Sequence, residues 1–477
     1  MKGDFSRFVF EPLKHYSGVL LQQGRVLLDS DWNAWARIQE QLRRVLLRDV
    51  VGSAAAPAAQ AGFQITFADG ALWIGAGRYY VDGVLVTNTA KVRLDQQPFL
   101  PVLPETYAPG TYVAYLDVWG RTVNAVQDAR IREVALGGSD TTVREQPVWQ
   151  VLLAEQPEGA RAPEGGDAWT PPGQDAARGQ LAVRLDGATV TGNRLYLVEI
   201  HTAGRTPDSG AAGGAPEEDG GAAQPTFKWS RSNGAVVFGV LSWTTDDIVR
   251  VTTVGGSLET ELKVGDWVEF VDDTILFQRQ ALPLWQVTSI DSAEQLVTLA
   301  ASENNTRPEI SADSHPFLRR WDQQETSELA LTGGTVPVVP GEWLDLEDGL
   351  QVRFAAGKTY ASGDEWHFTT RVATGLEWPE DEQGQPRALP RSGPYSAYAL
   401  LALLSYDGST WSGSDQRRTF QTLTALSGGG GGQPAPDVAA LVKTLQQQVR
   451  ELEKRVQALE RKPEEPRGRR RATRAKA

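Results

Sequence analysis

Short apolar runs bounded by turn residues recur from residue 63 to about residue 405, and this pattern constrains the fold more than any other feature. The run from Tyr112 to Trp119 is one example, and Asp82-Gly83 between two such runs is a strong signal for a two-residue hairpin turn. At 477 residues the chain is too long for one compact domain. We therefore predict a mainly β, multi-domain protein built from small barrels or sandwiches.

The clearest hairpin signal in the chain lies between Thr226 and Phe238. Phe227 and Trp229 alternate on one side of Asn233-Gly234, and two further apolar residues alternate on the other side. Asn-Gly between alternating apolar runs is typical of a tight hairpin turn. We predict that these two runs pair with each other.

Glycine, proline and alanine mark the boundaries between the predicted regions. Residues 52–59 and 204–225 have such compositions and indicate a linker and a flexible insertion. The predicted division is a docking arm and helix at 1–52, a first β domain at 60–203, a second β region (barrel or sandwich) at 226–426, a linker at 427–436, a coiled coil at 437–462 and a disordered basic tail at 463–477.

The first fifty residues carry a large aromatic load and one amphipathic helix. Asp29, Ser30 and Asp31 offer side-chain oxygens that could cap the start of this helix. Trp35 and Leu42 belong to an apolar stripe with helical spacing. Two interpretations remain open, a lid helix packed on its own domain and an arm that docks on a neighbouring subunit.

A heptad pattern near the C-terminus predicts a coiled coil. Valine at position a with leucine at position d favours a parallel dimer, and a trimer stays open. The alternative is a helix folded back on the body. The residues predicted to mediate self-association are Val438, Val442, Leu445, Val449, Leu452, Val456 and Leu459.

Composition narrows the function classes. The chain has no cysteine, which excludes disulfides and thiol chemistry and suits synthesis in the cytoplasm. Its net charge of −13 argues against a general nucleic-acid-binding surface. Its apolar runs are too short for a membrane span, and its first residues do not resemble a signal peptide. If the protein acts outside the cell, it must leave by lysis or within a particle.

We find no pattern that predicts catalysis, a metal site or a cofactor. The four histidines are far apart in sequence, without metal-ligand spacing. The acidic pairs, such as Asp246-Asp247, consist of adjacent residues, which point to opposite faces of a strand and do not form the opposed carboxylates of a glycosidase. Exposed tryptophans could stack on sugar rings, although burial in the core is the simpler interpretation.

Two stretches carry a resemblance to a known family. Residues 1–7 (MKGDFSR), with LQQGRV at 21–26 and DSDWN at 29–33, resemble the opening of a family of uncharacterised bacterial proteins, and FKWSRSNG at 227–234 is similar to its internal motif. Members of that family often lie in gene clusters for phage-tail-like contractile injection systems. The Gly24-Arg25-Val26 and Asp31-Trp32-Asn33 pattern is similar to N-termini by which phage fibre and baseplate proteins attach. Family members often carry paired histidines where this chain has residues 392–396.

The resemblance implies a non-enzymatic structural component of such a particle: a fibre, spike or adaptor that docks through its N-terminal arm and oligomerises through its coiled coil. Its partners would be baseplate or tail subunits, and a cell-surface glycan could be a target. One alternative is a carbohydrate-binding or carbohydrate-cleaving tail spike, and another is a free cytoplasmic scaffold. The residues predicted for docking are Phe5, Phe8, Phe10, Tyr16, Arg25, Asp31, Trp32 and Asn33.

Overall fold

The computed structural model describes residues 1–156, 169–171, 178–187, 189–207, 224–253, 261–301, 307–327 and 329–427. Most of the regular structure in these ranges is strand, which confirms the mainly β prediction, and the strands form several sheets. Residues 1–420 form one compact unit, and residues 421–477 form another, of which only the first seven residues are described. The α-helices of the described ranges are α1 (Asp29–Val51), α2 (Asp273–Gln278) and α3 (Leu423–Ser427).

The first module contains the strands nearest both ends of the larger unit. Long strand β7 pairs with β10 on one side and β28 on the other, and β1 pairs with β4 and with β30. One apolar core joins these sheets to the β2–β3–β6 sheet. Its strands are β1 (Ala54–Pro57), β2 (Ile65–Ala68), β3 (Ala71–Ile74), β4 (Gly77–Val81), β5 (Val84–Asn88), β6 (Val92–Arg93), β7 (Gly110–Val123), β8 (Arg132–Glu133), β9 (Ser139–Asp140), β10 (Arg144–Glu155), β28 (Ser396–Tyr406), β29 (Trp411–Asp415) and β30 (Thr419–Phe420).

The second module has two main sheets that share a core. One has the order β22–β23–β11–β27, and the other has the order β21–β14–β12–β25–β26. Strand β12 is central in the five-stranded sheet, and seven of its nine residues are buried, as expected for a strand covered on both faces. The strands are β11 (Gln180–Leu185), β12 (Arg194–Thr202), β13 (Gly204–Arg205), β14 (Thr226–Ser230), β21 (Val336–Pro337), β22 (Leu344–Glu347), β23 (Leu350–Phe354), β24 (Thr359–Tyr360), β25 (Glu365–Arg371), β26 (Gly375–Glu377) and β27 (Leu389–Pro390).

A closed six-stranded barrel lies between β14 and β21 in the chain. Its strand order is β15–β16–β19–β18–β17–β20, and its interior is filled by apolar side chains such as Phe238, Val251 and Phe270. The sequence predicted a barrel or a sandwich for this part of the chain, and the structure has a closed barrel. Its strands are β15 (Val237–Trp243), β16 (Ile248–Thr253), β17 (Trp267–Val271), β18 (Trp285–Asp291), β19 (Leu296–Ala301) and β20 (Phe317–Trp321).

The modules are nested in the chain, whereas the sequence analysis predicted consecutive β regions at 60–203 and 226–426. The barrel is an insertion in the second module, and the second module is an insertion in the first. Strand β28 pairs with β7 although almost 300 residues separate them, with Tyr406 opposite Gly110. Pairing over such a distance leaves no local signal in the sequence.

Three local predictions can be compared with the structure directly. Asp82-Gly83 is the predicted hairpin turn, because Val81 pairs with Val84. The predicted linker at 52–59 is wrong, because it contains strand β1, whose small side chains at Ala55 and Ala56 fit fully inside the core. The predicted helix cap is also wrong: Leu28 precedes the first turn of α1 and makes no side-chain cap bond.

Several predictions fall on residues outside the described ranges. They include most of the insertion at 204–225, the coiled coil at 437–462 with its seven apolar positions, and the basic tail at 463–477. Within the described ranges, no helix has the length and apolar character needed to span a membrane.

Candidate functional site

The first three residues of the chain lie in a socket made by the second module. The α-amino group of Met1 is 2.5 Å from Oε1 of Glu365, and Nζ of Lys2 is 2.6 Å from Oε2 of Glu199. The side-chain amide of Asn233 donates hydrogen bonds to the carbonyl oxygens of Met1 (3.0 Å) and Gly3 (2.9 Å). The start of the chain is therefore bound by its own body.

Asn233-Gly234 serves this socket instead of closing the predicted hairpin. Both residues have the positive φ of a tight turn, 51° and 62°. The flanking strands nevertheless diverge, since β14 pairs with β12 and β21 while β15 enters the barrel. The prediction that they pair is wrong, because each of the two strands pairs with other strands. The turn faces the first residues of the chain, where the main-chain N–H of Gly3 donates to the carbonyl oxygen of Asn233 at 3.2 Å.

A buried ion cluster lies beneath the socket and joins the second module to the barrel. Nζ of Lys228, on β14, lies 2.5 Å from Oε1 of Glu269 on β17 and 3.4 Å from Oε1 of Glu199 on β12. The indole N–H of Trp321 donates to the other oxygen of Glu269 at 2.9 Å. Only 2% of the Lys228 side chain is exposed, so the charges must compensate one another to survive burial.

The cluster strongly shifts the acid–base equilibria of its members. Burial alone would raise the pKa of Glu269, but Lys228, His201 and Arg319 outweigh it and lower the pKa to about 2. Burial, assisted by Lys228, lowers the pKa of His201 to about 4. At neutral pH the carboxylate is thus ionised and the imidazole is neutral.

Glu365 and His367, beside the α-amino group of Met1, also have pKa values shifted by burial and by neighbouring charges. Burial opposes ionisation of Glu365, yet the ammonium group of Met1 and the neighbouring His367 lower its pKa well below the usual value. Burial and the same ammonium group lower the pKa of His367. Nδ1 of His367 is 2.9 Å from Oδ1 of Asn233, which fixes the amide that holds the first residues.

The structure divides the eight predicted docking residues into two groups. Phe5, Phe8 and Phe10 are half-buried, and Phe8 packs edge-on against the buried ring of His367, with ring centroids 5.3 Å apart. Phe8 thus packs on the chain's own body, and the ring of Phe5 lies against Phe8, with ring centroids 5.6 Å apart. Tyr16, Arg25 and Trp32 are exposed, whereas Asp31 and Asn33 are partly buried at the start of α1; the exposed residues are the ones a partner could reach. We call residues 1–8 the anchor segment and residues 9–28 the outer loop.

Helix α1 has one face on the body and an apolar face in solvent. Ser30, Ala34 and Ile38 are buried. On the other side, Trp32 and Leu46 are each 61% exposed. An amphipathic helix normally turns its apolar stripe toward the core, so an exposed second stripe is unusual. The exposed apolar residues of α1 are Trp32, Trp35, Leu42, Val45, Leu46 and Val50.

Three arginines fix α1 to the first module. Arg44 and Arg48 both form ion pairs with Asp82 in the β4–β5 turn, and Arg37 reaches Glu145 at 2.9 Å. The turn lies against the helix backbone, because a Cβ atom on Gly83 would come within 2.6 Å of the Arg44 carbonyl oxygen. The exposed apolar face is therefore carried on a rigid support.

The ends of the outer loop are held close together. The main-chain N–H of Ser6 donates to Oδ2 of Asp29 at 2.8 Å, so Asp29, predicted as a helix cap, binds the anchor segment instead. Between these points the loop touches the exposed side of α1, where Gln39 donates to the Ser17 carbonyl at 3.4 Å. The loop and the outward face of α1 thus adjoin each other.

Sequence reasoning missed the ion cluster. Glu199, Lys228 and Glu269 each stand alone among apolar residues of a strand, which is the signal that could have revealed it. Within the described residues, no group of three His, Asp or Glu side chains is arranged to hold a metal ion.

Comparison with known proteins gives one match. The model of a family of unknown function, DUF6519, covers residues 1–164 and 180–415. Neither the curated proteins nor the solved structures contain a significant match to the chain. Because the matched ranges make up most of its length, this chain belongs to the DUF6519 family.

Proposed function

We propose that the protein is a non-enzymatic structural component of a phage-tail-like contractile injection particle, attached to the baseplate or tail through its N-terminal region. Within this proposal we assign attachment to the outer loop and the outward face of α1, because the anchor segment is bound by the chain's own body. Of the predicted docking residues, Tyr16, Arg25 and Trp32 are exposed members of this surface, and Phe10 is a half-buried one.

The observation that carries the proposal is the concentration of exposed apolar side chains between Leu13 and Val50. Thirteen of the twenty-three large apolar residues that are exposed in the described ranges lie in this 38-residue stretch. Soluble proteins rarely leave so much contiguous apolar surface uncovered unless a partner binds there. Trp32 and Trp35, with ring centroids 5.7 Å apart, supply the aromatic anchors that dominate many interfaces.

Self-association through residues 437–462 completes the proposal. Two or three arms in one oligomer would bind neighbouring sites on a particle together, which multiplies a weak single contact. In this proposal the protein is made in the cytoplasm and then becomes part of the assembled particle.

The test of attachment is co-purification of the chain with the particles. Leu46→Glu and Trp32→Glu place a charge in the proposed interface at positions that are already 61% exposed, so the fold should tolerate them. Leu136→Glu is the matched control, because Leu136 is 62% exposed but lies in the first module. We expect both interface variants to be depleted from particles and the control to be retained.

Normal incorporation of both interface variants would refute the attachment surface. A complementary variant replaces residues 9–26 with a short Gly/Ser linker, which the closeness of Ser6 and Asp29 allows without disturbing the anchor segment. If this variant also joins particles, the outer loop has no part in attachment.

The test of self-association is light scattering on the full chain. Leu445→Glu and Leu452→Glu change the predicted apolar stripe, and Gln447→Glu adds the same single negative charge off that stripe. We expect the first two variants to be monomeric and the third to remain a dimer or trimer. A monomeric unmodified chain would remove the coiled coil from the proposal.

A further inference from the structure

A cleft of about 430 Å³ lies beside the anchor segment, and its lining includes three arginines. One wall consists of Asp4, Phe5 and Ser6, and the other includes Arg194, Arg231 and Arg371 from the second module. The volume lies within the range of small-ligand sites. A group of cations is notable on a protein with a net charge of −13.

The arginines are held in place from below. Glu347, only 16% exposed, accepts an N–H from Arg194 at 2.9 Å and forms an ion pair with Arg231 at 3.0 Å. Tyr196 donates its hydroxyl to the same carboxylate at 2.7 Å. About a third of each arginine side chain stays exposed. Glu347 therefore orients two guanidinium groups, and Asp322 is a second carboxylate 3.5 Å from Nε of Arg231.

Among the described residues, Arg371 has fewer polar side-chain contacts than Arg194 or Arg231. Within the described part of the chain its guanidinium group makes one hydrogen bond, from Nη2 to the Ser6 carbonyl at 2.7 Å. A guanidinium group has five N–H donors in a planar fork that matches a carboxylate. Arg371 can thus close the cleft and still offer donors to a ligand.

The opposite wall adds features that a simple anion site would not need. Asp4 is exposed, and its carboxylate has no partner among the described residues. It would repel an anion placed near it, but it can accept hydrogen bonds from hydroxyl groups. Phe5 presents an aromatic ring to the same space. Guanidinium donors, an acidic acceptor and a ring together suit a polyhydroxylated ring with a carboxylate on one side.

The wall is also preorganised. The anchor segment is fixed by the Lys2–Glu199 ion pair on one side of Asp4 and by the Ser6–Asp29 hydrogen bond on the other. A ligand would therefore not need to order this segment, which lowers the entropic cost of binding.

We infer that this cleft binds a sugar acid, that is, a saccharide ring bearing a carboxylate. The three arginines bind the carboxylate, Asp4 accepts hydrogen bonds from ring hydroxyls, and Phe5 packs against the ring. This site is separate from the proposed attachment surface and does not depend on it.

The test is saturation-transfer NMR on the full chain with D-glucuronate, D-glucose and glucose 6-phosphate as probes. We expect glucuronate to bind at least about tenfold more tightly than glucose, the difference that one charge-assisted contact supplies. Arg371→Gln should weaken glucuronate binding by about tenfold as well. Arg43→Gln, an exposed change on α1, should leave binding unchanged.

Asp4→Ala distinguishes a sugar-acid site from a plain anion site by the direction in which the affinity for glucuronate changes. For a sugar acid, removing the hydroxyl acceptor weakens glucuronate binding several-fold; for a plain anion site, removing a negative charge strengthens it. Asp313→Ala, also exposed, is the control. Asp4 is exposed and has no partner within the described ranges, so this variant should fold even if Arg371→Gln does not. Tighter binding by Asp4→Ala, equal binding of glucose and glucuronate, or equal binding of glucose 6-phosphate would overturn the assignment.

Discussion

Nζ of Lys2 lies 2.6 Å from Oε2 of Glu199, which joins the second residue of the chain to the central strand of the five-stranded sheet. Lys228 forms ion pairs with this carboxylate and with that of Glu269 in the barrel. The beginning of the chain is thus part of the junction between two modules. Changes in the junction should alter both the stability of the body and the attachment of the anchor segment.

Asn233→Ala should release the anchor segment. The variant loses two hydrogen bonds to the carbonyls of Met1 and Gly3, each worth about 1 kcal/mol, and places alanine at a φ of 51°. We expect faster tryptic cleavage after Arg7, measured by mass spectrometry. Asp348→Ala carries a similar backbone cost at a φ of 48°, without contact with the anchor. Equal cleavage in the two variants would contradict the role of the amide.

Lys228→Met should strongly destabilise the junction. It leaves Glu199 and Glu269 buried without the cation between them, and breaking a buried ion pair from one side costs about 3–5 kcal/mol. We expect a large fall in the urea midpoint of unfolding. Lys263→Met removes an exposed lysine and serves as the control. If both variants unfold at the same urea concentration, the cluster contributes little net stability.

The stability of the body should fall when the solution is acidified from pH 7. The pKa of His201 is about 4 in the folded protein and 6.5 ordinarily, so the unfolded chain binds the proton more readily in this interval. That difference corresponds to roughly 3 kcal/mol, lost as pH drops from 6.5 to 4. Glu269, with a pKa of about 2 instead of 4.5, adds a further loss at lower pH.

His201→Gln isolates the histidine contribution to this profile. Its urea midpoint should change less than that of the unmodified protein between pH 7 and pH 5, whereas both should weaken below pH 4.5 because the glutamates remain. Parallel profiles over the upper interval would show that His201 is not the titrating group.

Gly83→Ala should loosen α1 from the first module. Gly83 has a φ of 75°, and an added Cβ would lie 2.6 Å from the Arg44 carbonyl oxygen. Gly70→Ala is a matched control, since Gly70 also follows an aspartate in a turn, at a φ of 71°, but faces open space. Both should lose about 1 kcal/mol to backbone strain, and the clash should cost Gly83→Ala about 1–3 kcal/mol more. Similar urea midpoints would mean that helix and turn separate easily.

Local patterns in the sequence predicted the elements better than their partners. The strand from Tyr112 to Trp119 and the Asp82-Gly83 turn follow from alternation and turn chemistry, which act over a few residues. The partners of β14 and β15 depend on sheets completed by distant parts of the chain, so the Asn233-Gly234 signal was misleading. Lys228, between Phe227 and Trp229, would face solvent in a one-sided sheet, but here the barrel covers that face.

The candidate sites show the same limit. The aromatic load of the first fifty residues indicated an unusual surface, yet only the structure separates Phe8, which packs on His367, from Trp32, which faces solvent. The cleft combines Asp4 with Arg194, Arg231 and Arg371, which are far apart in the sequence and share no spacing that could reveal it.

The nesting of the three modules has a consequence for biosynthesis. The barrel strands are contiguous in the chain, so they can complete their pairing soon after residue 321 leaves the ribosome. Strand β7 emerges much earlier, but its partner β28 is not yet made, and one edge of it stays open through most of translation. We therefore expect the barrel to complete its folding first and the first module to complete it last. The strands that are synthesised first wait longest for their partners and depend most on chaperones.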